Sequence, residues 1–157
     1  MLATVSALSA QNLGAGKEKR ATDTLHYATV ITTIYGMIVA VLIQFIAENV
    51  VGIFTSDTTV VTMGSAYIRS YIWDCIFAGI HFSFSGYFAA CGKSYIGFLH
   101  NIISITFVRV PGSYLASKYF TDTLYPMGLA AGSLVSVAIC VTAFILLKKK
   151  SRVAQTA

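Results

Sequence analysis

Charge is what this sequence has least of. Only 11% of its 157 residues are Asp, Glu, Lys or Arg, where a soluble domain carries about a quarter. That shortage excludes intrinsic disorder, a coiled coil and most water-soluble enzymes. Cysteines are few as well, and Cys75, Cys91 and Cys140 lie far apart in apolar surroundings with no CxxC pair. This spacing gives no metal site and no disulfide framework, and the three read as small core residues. Proline occurs only twice, so long helices meet little interruption. What fills the chain instead is apolar side chains, 56% of the total, with a mean hydropathy of +0.73. The composition is that of an all-α membrane protein.

A spanning helix needs about 20 mostly apolar residues, and four stretches supply them: Leu25 to Ala47, Met63 to Ala90, Tyr95 to Ala116 and Met127 to Leu147. Polar breaks separate them at Thr55-Ser56-Asp57, Cys91-Gly92-Lys93-Ser94 and Thr121-Asp122-Thr123 before Pro126. Met1 to Ala10 is apolar too, but ten helical residues rise only about 15 Å, half a bilayer core. Its positive charges follow the apolar run, which argues against a signal peptide. The expectation is four transmembrane helices plus the end of a fifth, in a truncated chain.

The net charge of +5 shows no basic face with interleaved aromatics, so nucleic acid is not an expected partner. The positives sort by side instead. Lys17, Lys19, Arg20, Lys93, Lys148, Lys149, Lys150 and Arg152 fall on one side of the four spans, against Lys118 on the other. The Gln11–Arg20 loop and the basic tail 148–157 are therefore expected in the cytoplasm. Gly14-Ala15-Gly16-Lys17 resembles a phosphate loop only superficially. Gln11 stands where that loop needs glycine, and Glu18 where it needs Ser or Thr. A dinucleotide fingerprint fails at Lys19. The glycines fit the end of one helix and a tight turn into the next.

Ionisable residues inside a span cost about 2.5–3.5 kcal/mol at the helix centre. Asp74 lies about eleven residues into the second span. A 3.6-residue period puts Tyr67, Tyr71, Asp74, Ala78, His81 and Ser85 on one stripe, flanked by Ile72, Ile76, Phe77, Ile80 and Phe84. A polar stripe on a membrane helix faces a bundle interior or a water-filled cavity. Asp74 is then a carboxylate for a cation or proton, or else a buried structural partner. Arg109 reaches within about 5 Å of the same depth on the third span, so the two can pair, as a structural or a mobile ion pair. Pairing would hold Asp74 ionised. Pro111 should kink the third span and free carbonyls toward a cavity. His81 reads as a hydrogen-bonding partner or a proton relay. Asn101 and Ser104 share a stripe with Gly97 and read as interhelical contacts. His100 and Glu48 lie near helix ends and reach interfacial water. Gly128 and Gly132 form a small-xxx-small packing pattern. No nucleophile triad and no paired carboxylates appear, so an enzyme is not expected.

Gln11-Asn12-Leu13-Gly14-Ala15-Gly16-Lys17, after the small residues Ser6, Ala7 and Ser9, resembles the cytoplasmic Q-N-x-G-A-G loop of multidrug and toxic compound extrusion (MATE) transporters. The later series Asp74, Gly86, Gly92 and Arg109-Val110-Pro111 is similar to that family's tenth and eleventh helices. The resemblance implies a twelve-helix, inverted-V transporter of two six-helix lobes. Residues 1–147 would be part of the C-terminal lobe, from the end of helix eight to helix twelve. It further implies an antiporter in the cell membrane that exports organic cations or amphipathic compounds, driven by Na+ or H+, with no other cofactor. Asp74 would be the ion or substrate carboxylate, with Na+ possible there, and Arg109 its partner. Tyr67, Tyr71, His81 and Asn101 would line the cavity. Gln11, Asn12, Gly14 and Gly16 would form the cytoplasmic turn, and Pro111 would shape helix eleven. The expected partners are the bilayer, the missing N-terminal lobe and the cargo. A non-transporting fragment and a small dimeric four-helix transporter remain the rival expectations.

Overall fold

A computed structural model describes residues 1–119 and the backbone of 132–156, with side chains through Lys149. The described chain is entirely helical: α1 (Leu2–Gly14), α2 (Glu18–Gly52), α3 (Thr58–Ala90), α4 (Ser94–Ser104), a π-helical turn (Ile105–Arg109), α5 (Val110–Tyr119) and α6 (Gly132–Thr156). The break at 121–126, the first residues of the expected fourth span and Gly128 lie outside the described residues. Among the described helices, α2 and the Gly132–Lys149 part of α6 are individually long and apolar enough to cross a membrane.

The two glycine-lysine turns explain where α1 and α3 stop. Gly16 and Gly92 adopt left-handed φ values of 71° and 69°. After α1, the Lys17 amide donates to the Asn12 carbonyl and the Gly16 amide to Leu13. After α3, the Lys93 amide donates to Phe88 and the Gly92 amide to Ala89. Both sets are the six-to-one and five-to-two bonds that satisfy the last carbonyls of a helix. At the other end of α3, the Asp57 carboxylate accepts from the amides of Thr59 and Val60, the usual acidic N-cap.

The packing is inverted relative to a water-soluble domain. Ser9, Ser65, Ser70, Ser83, Ser85, Ser104, Ser133 and Ser136 are buried, while Ile31, Ile34, Ile38, Leu42 and Phe45 of α2 are exposed. Large apolar side chains facing outward cost nothing in lipid and would be unfavourable in water. Several hydroxyls are satisfied within their own helices: Thr29, Thr33, Ser70 and Ser83 donate to carbonyls four residues earlier.

Small residues let the helices approach closely. Helix α2 buries Ala21, Ala28, Ala40 and Ala47, the members of each successive pair 21/28 and 40/47 lying two turns apart. A Cβ at Gly36 would lie 3.1 Å from Ile76, and one at Gly79 3.2 Å from Thr32. Helix α3 is the hub, packed against α1, α2, α4 and α6. Where α1 crosses it, a Cβ on Gly86 would come 2.5 Å from the Leu2 carbonyl oxygen.

Pro111 is accommodated by a widened turn. Proline has no amide to offer the Phe107 carbonyl, and the Val110 amide reaches back to Ile105 instead. The extra residue in this π turn rotates the residues of α5 by about 100° relative to a regular helix. The proline is thus met by a change in azimuth.

Candidate functional site

Asp74 is only 7% exposed, at mid-height of α3. Its carboxylate pairs with the Arg109 guanidinium through Oδ2. The Ser133 hydroxyl donates to the same oxygen at 3.1 Å, and the Ser133 amide donates to Oδ1 at 3.3 Å. Arg109 also donates to the Ser133 hydroxyl at 2.8 Å. Three helical segments therefore meet on one carboxylate. The π turn supplies the cation, and the start of α6 supplies an amide and a hydroxyl.

Glycine at 132 is required by this arrangement. A Cβ there would lie 2.5 Å from Arg109 Cγ and 2.7 Å from Nε. The Gly132 carbonyl in turn accepts from the buried Ser104 hydroxyl, which ties α4 to α6 just beside the pair.

A cavity of about 230 Å³ opens next to it, its wall including Tyr71, His81, Asn101, Ser104, Arg109, Ser133 and Ser136. Four of the six expected site residues thus share one wall. Asp74 is not itself in the wall and meets the cavity through Arg109 and Ser133. Tyr67 is not in it either; its ring stacks on Tyr71, with centroids 5.7 Å apart. The cavity suits a small polar or cationic guest: hydroxyls and one amide supply oxygens, and aromatic rings supply π faces.

A larger groove of about 460 Å³ lies between α2 and α3, lined by Met1, Ile31, Tyr35, Val39, Ile72 and Cys75 among others. It is almost wholly apolar. Its Thr32 hydroxyl is already bonded to the Ala28 and Thr29 carbonyls. Among the described residues no charged side chain lines it, and the polar chemistry stays with the smaller cavity.

Several expectations need correction. His100 does not reach interfacial water: it is 0% exposed and bonds the Ser85 hydroxyl at 2.8 Å, because Gly97 lets α4 close onto α3. Glu48 is exposed and pairs with Arg69 at 3.2 Å, a residue absent from the count of charges by side. Of the three cysteines only Cys140 is buried; Cys75 is exposed and Cys91 half-buried. Ser104 is an interhelical contact as expected, whereas Asn101 faces the cavity. Ser133 escapes a sequence reading altogether, since a serine in an apolar run carries no signal of its own.

Gln11, Asn12 and Gly14 close the last turn of α1, and Gly16 lies in the turn that leads into α2. The Gln11 and Asn12 carbonyls accept the capping amides, and the Asn12 side chain bonds the Leu8 carbonyl. Leu13, Glu18, Lys93 and Lys148 line one cavity of about 180 Å³, so both glycine-lysine turns and the start of the basic tail meet at one end of the bundle.

A helical bundle with many buried hydroxyls, an apolar exterior and a buried ion pair beside a small cavity fits a membrane protein. Known proteins narrow the class. The family model MatE matches residues 1–115. Protein DETOXIFICATION 14 of Arabidopsis thaliana is 30% identical over 145 residues, 92% of this chain and 29% of that protein. No solved structure matches the chain. The chain belongs to the MatE family, whose members are membrane transporters rather than enzymes. It spans less than a third of the length of the relative it matches.

Proposed function

We propose that this chain is the later part of a multidrug and toxic compound extrusion transporter that exports organic cations or amphipathic compounds by alternating access, driven by Na+ or H+. In this reading α2, α3, the α4–π–α5 run and α6 are four spans and α1 is the end of a fifth. They make up residues 1–147 of a second six-helix lobe, whose partner is a first lobe in the same bilayer. The turn at Gln11–Arg20, the turn at Lys93 and the tail 148–157 lie on the cytoplasmic side. The shared location of Leu13, Glu18, Lys93 and Lys148 at one end supports that orientation.

The observation that carries the proposal is the Asp74–Arg109–Ser133 cluster behind the wall of a polar cavity. Arg109 occupies the seat that a transported or coupling cation would take. A cation entering the cavity competes for the Asp74 carboxylate, and Arg109, which is 30% exposed, turns into the cavity as it is displaced. Ser133 stays as the fixed ligand that both states share. Tyr71 and Asn101 contact the guest, and the apolar exterior keeps the path sealed from lipid. Because the driving ion and the cationic cargo compete in turn for this one carboxylate, binding of one releases the other, which is what an antiporter requires.

The test is efflux of a fluorescent organic cation from loaded cells that express the full-length transporter. Wild type is compared with Asp74→Asn, with the Na+ gradient present or collapsed. Loss of efflux in the variant at unchanged membrane abundance places Asp74 in the coupling or binding step, and the gradient separates Na+ from H+ drive. Undiminished efflux by Asp74→Asn would reduce the cluster to a structural ion pair.

A further inference from the structure

Two turns along α3 from Asp74, the cavity-wall residue His81 meets His100 in a second polar cluster. His81 is 4% exposed and His100 0%. Their rings stand edge to face, with centroids 5.2 Å apart and planes at 72°. Among the described residues, the Nδ1 atoms of both rings are buried without a hydrogen-bond partner. An unpaired polar atom in a membrane interior is costly, and two on adjacent rings call for a reason.

The Ser85 oxygen lies 2.9 Å from the His81 carbonyl and 2.8 Å from His100 Nε2 and has a single proton to give. Given to the carbonyl, that proton makes His100 the donor to Ser85. A neutral imidazole with its proton on Nε2 has a bare lone pair on Nδ1, so His100 presents an unoccupied base to the interior. His81 lines the 230 Å³ cavity and connects that base to it. The ionisable groups acting on His81 are His100 on α4, Arg109 on the π turn and Asp74 on its own helix. Helix α1 has no ionisable side chain, α6 contributes the Ser133 and Ser136 hydroxyls to the cavity, and among the described residues no charged group of α2 acts on it.

We propose that His81 and His100 form a single-proton binding site in the cavity wall, separate from the Asp74 carboxylate. One proton is shared between the two rings and a second is refused. At 5.2 Å a charge on one ring opposes a charge on the other by about two pH units at an effective dielectric of about 20. The pair thus titrates as a unit. A proton here adds positive charge to a wall that already holds Arg109, so proton and cationic guest disfavour each other. That consequence rests on the proposed function, whereas the titration itself does not.

The test is a pH titration of the chain in lipid nanodiscs with 15N-labelled histidine, read by magic-angle-spinning NMR from pH 8 to 4, with helicity followed by circular dichroism. The chain has only three histidines, and the exposed His26 is the internal reference. The expected result is one common midpoint for His81 and His100, with fractional protonations that sum to one. In His100→Gln, where the amide still donates to Ser85, His81 takes the whole proton. Two complete protonations, none within the range where helicity holds, or a His81 curve unchanged by His100→Gln would each overturn the proposal. Loss of efflux in Asp74→Asn bears on the proposed function and leaves this result untouched.

Discussion

Removing Arg109 should harm this fold far more than neutralising Asp74. The two partners differ in exposure, 30% for the guanidinium against 7% for the carboxylate. In Arg109→Met the carboxylate keeps only the amide and hydroxyl of Ser133 and remains a buried charge with no counter-ion. Breaking a buried pair this way costs about 3 kcal/mol or more. In Asp74→Asn the freed guanidinium turns toward the cavity, still bonded to Ser133. Solvent screening at a third exposure brings that loss down to about 1–2 kcal/mol. The double variant removes both charges and should return to within about 2 kcal/mol of wild type, a coupling of about 3 kcal/mol between the sites. The assay is reversible unfolding of the chain in mixed micelles titrated with dodecyl sulfate, followed by far-ultraviolet circular dichroism. Equal losses in the two single variants, or a double variant as unstable as their sum, would refute the reasoning. Either result would mean that the pair is not coupled in the folded bundle.

Gly86→Val should detach α1 from α3, because the new side chain starts 2.5 Å from the Leu2 carbonyl. Amide exchange across residues 2–14 should rise while α2 and α3 stay protected. Gly16→Ala imposes a left-handed φ of 71° on a residue with a Cβ, which costs roughly 1–2 kcal/mol. Asn at the same place should cost less, and the micelle unfolding midpoint will rank the two. Burial pushes the Cys91 thiol up, and the Tyr87 hydrogen bond and Lys93 charge only partly offset it. Since the thiolate is the reactive form, Cys91 should alkylate more slowly than a free thiol at pH 7.5. Its rate should climb about tenfold per pH unit up to pH 9, and a rate flat across that range would contradict the assignment.

Legibility from sequence tracks the reach of local rules. The helix ends at Gly16 and Gly92 are readable because only a left-handed turn closes those carbonyls, and glycine adopts it without strain. The Asp74 stripe is readable because a 3.6-residue period fixes which residues of α3 share a face, and counting at 1.5 Å per residue brings Arg109 to the same height. Facts that depend on a neighbour's azimuth are not readable. His100 is six residues from the start of α4 and counts as peripheral until Gly97 is seen to close α4 onto Ser85. Ser133 becomes visible only once α6 is set beside α3. The π turn stays hidden because Pro111 announces a lost hydrogen bond without saying how the helix will recover.

The Asp74–Arg109 bond makes the chain its own competitor. On the proposed function, a dissolved cation must displace a ligand that never diffuses away, because Arg109 is tethered one helix from its seat. If the tethered ligand holds the carboxylate about 99% of the time, a guest's apparent affinity falls about a hundredfold below its intrinsic value. On the proposed function, weak retention is an advantage in a machine that must release what it binds. On that same reading the tether would stopper the pathway at rest, since the carboxylate would seldom be bare enough for stray ions to hop through. Thrift in binding and resistance to leakage would then have one origin, a single arginine set by one widened turn.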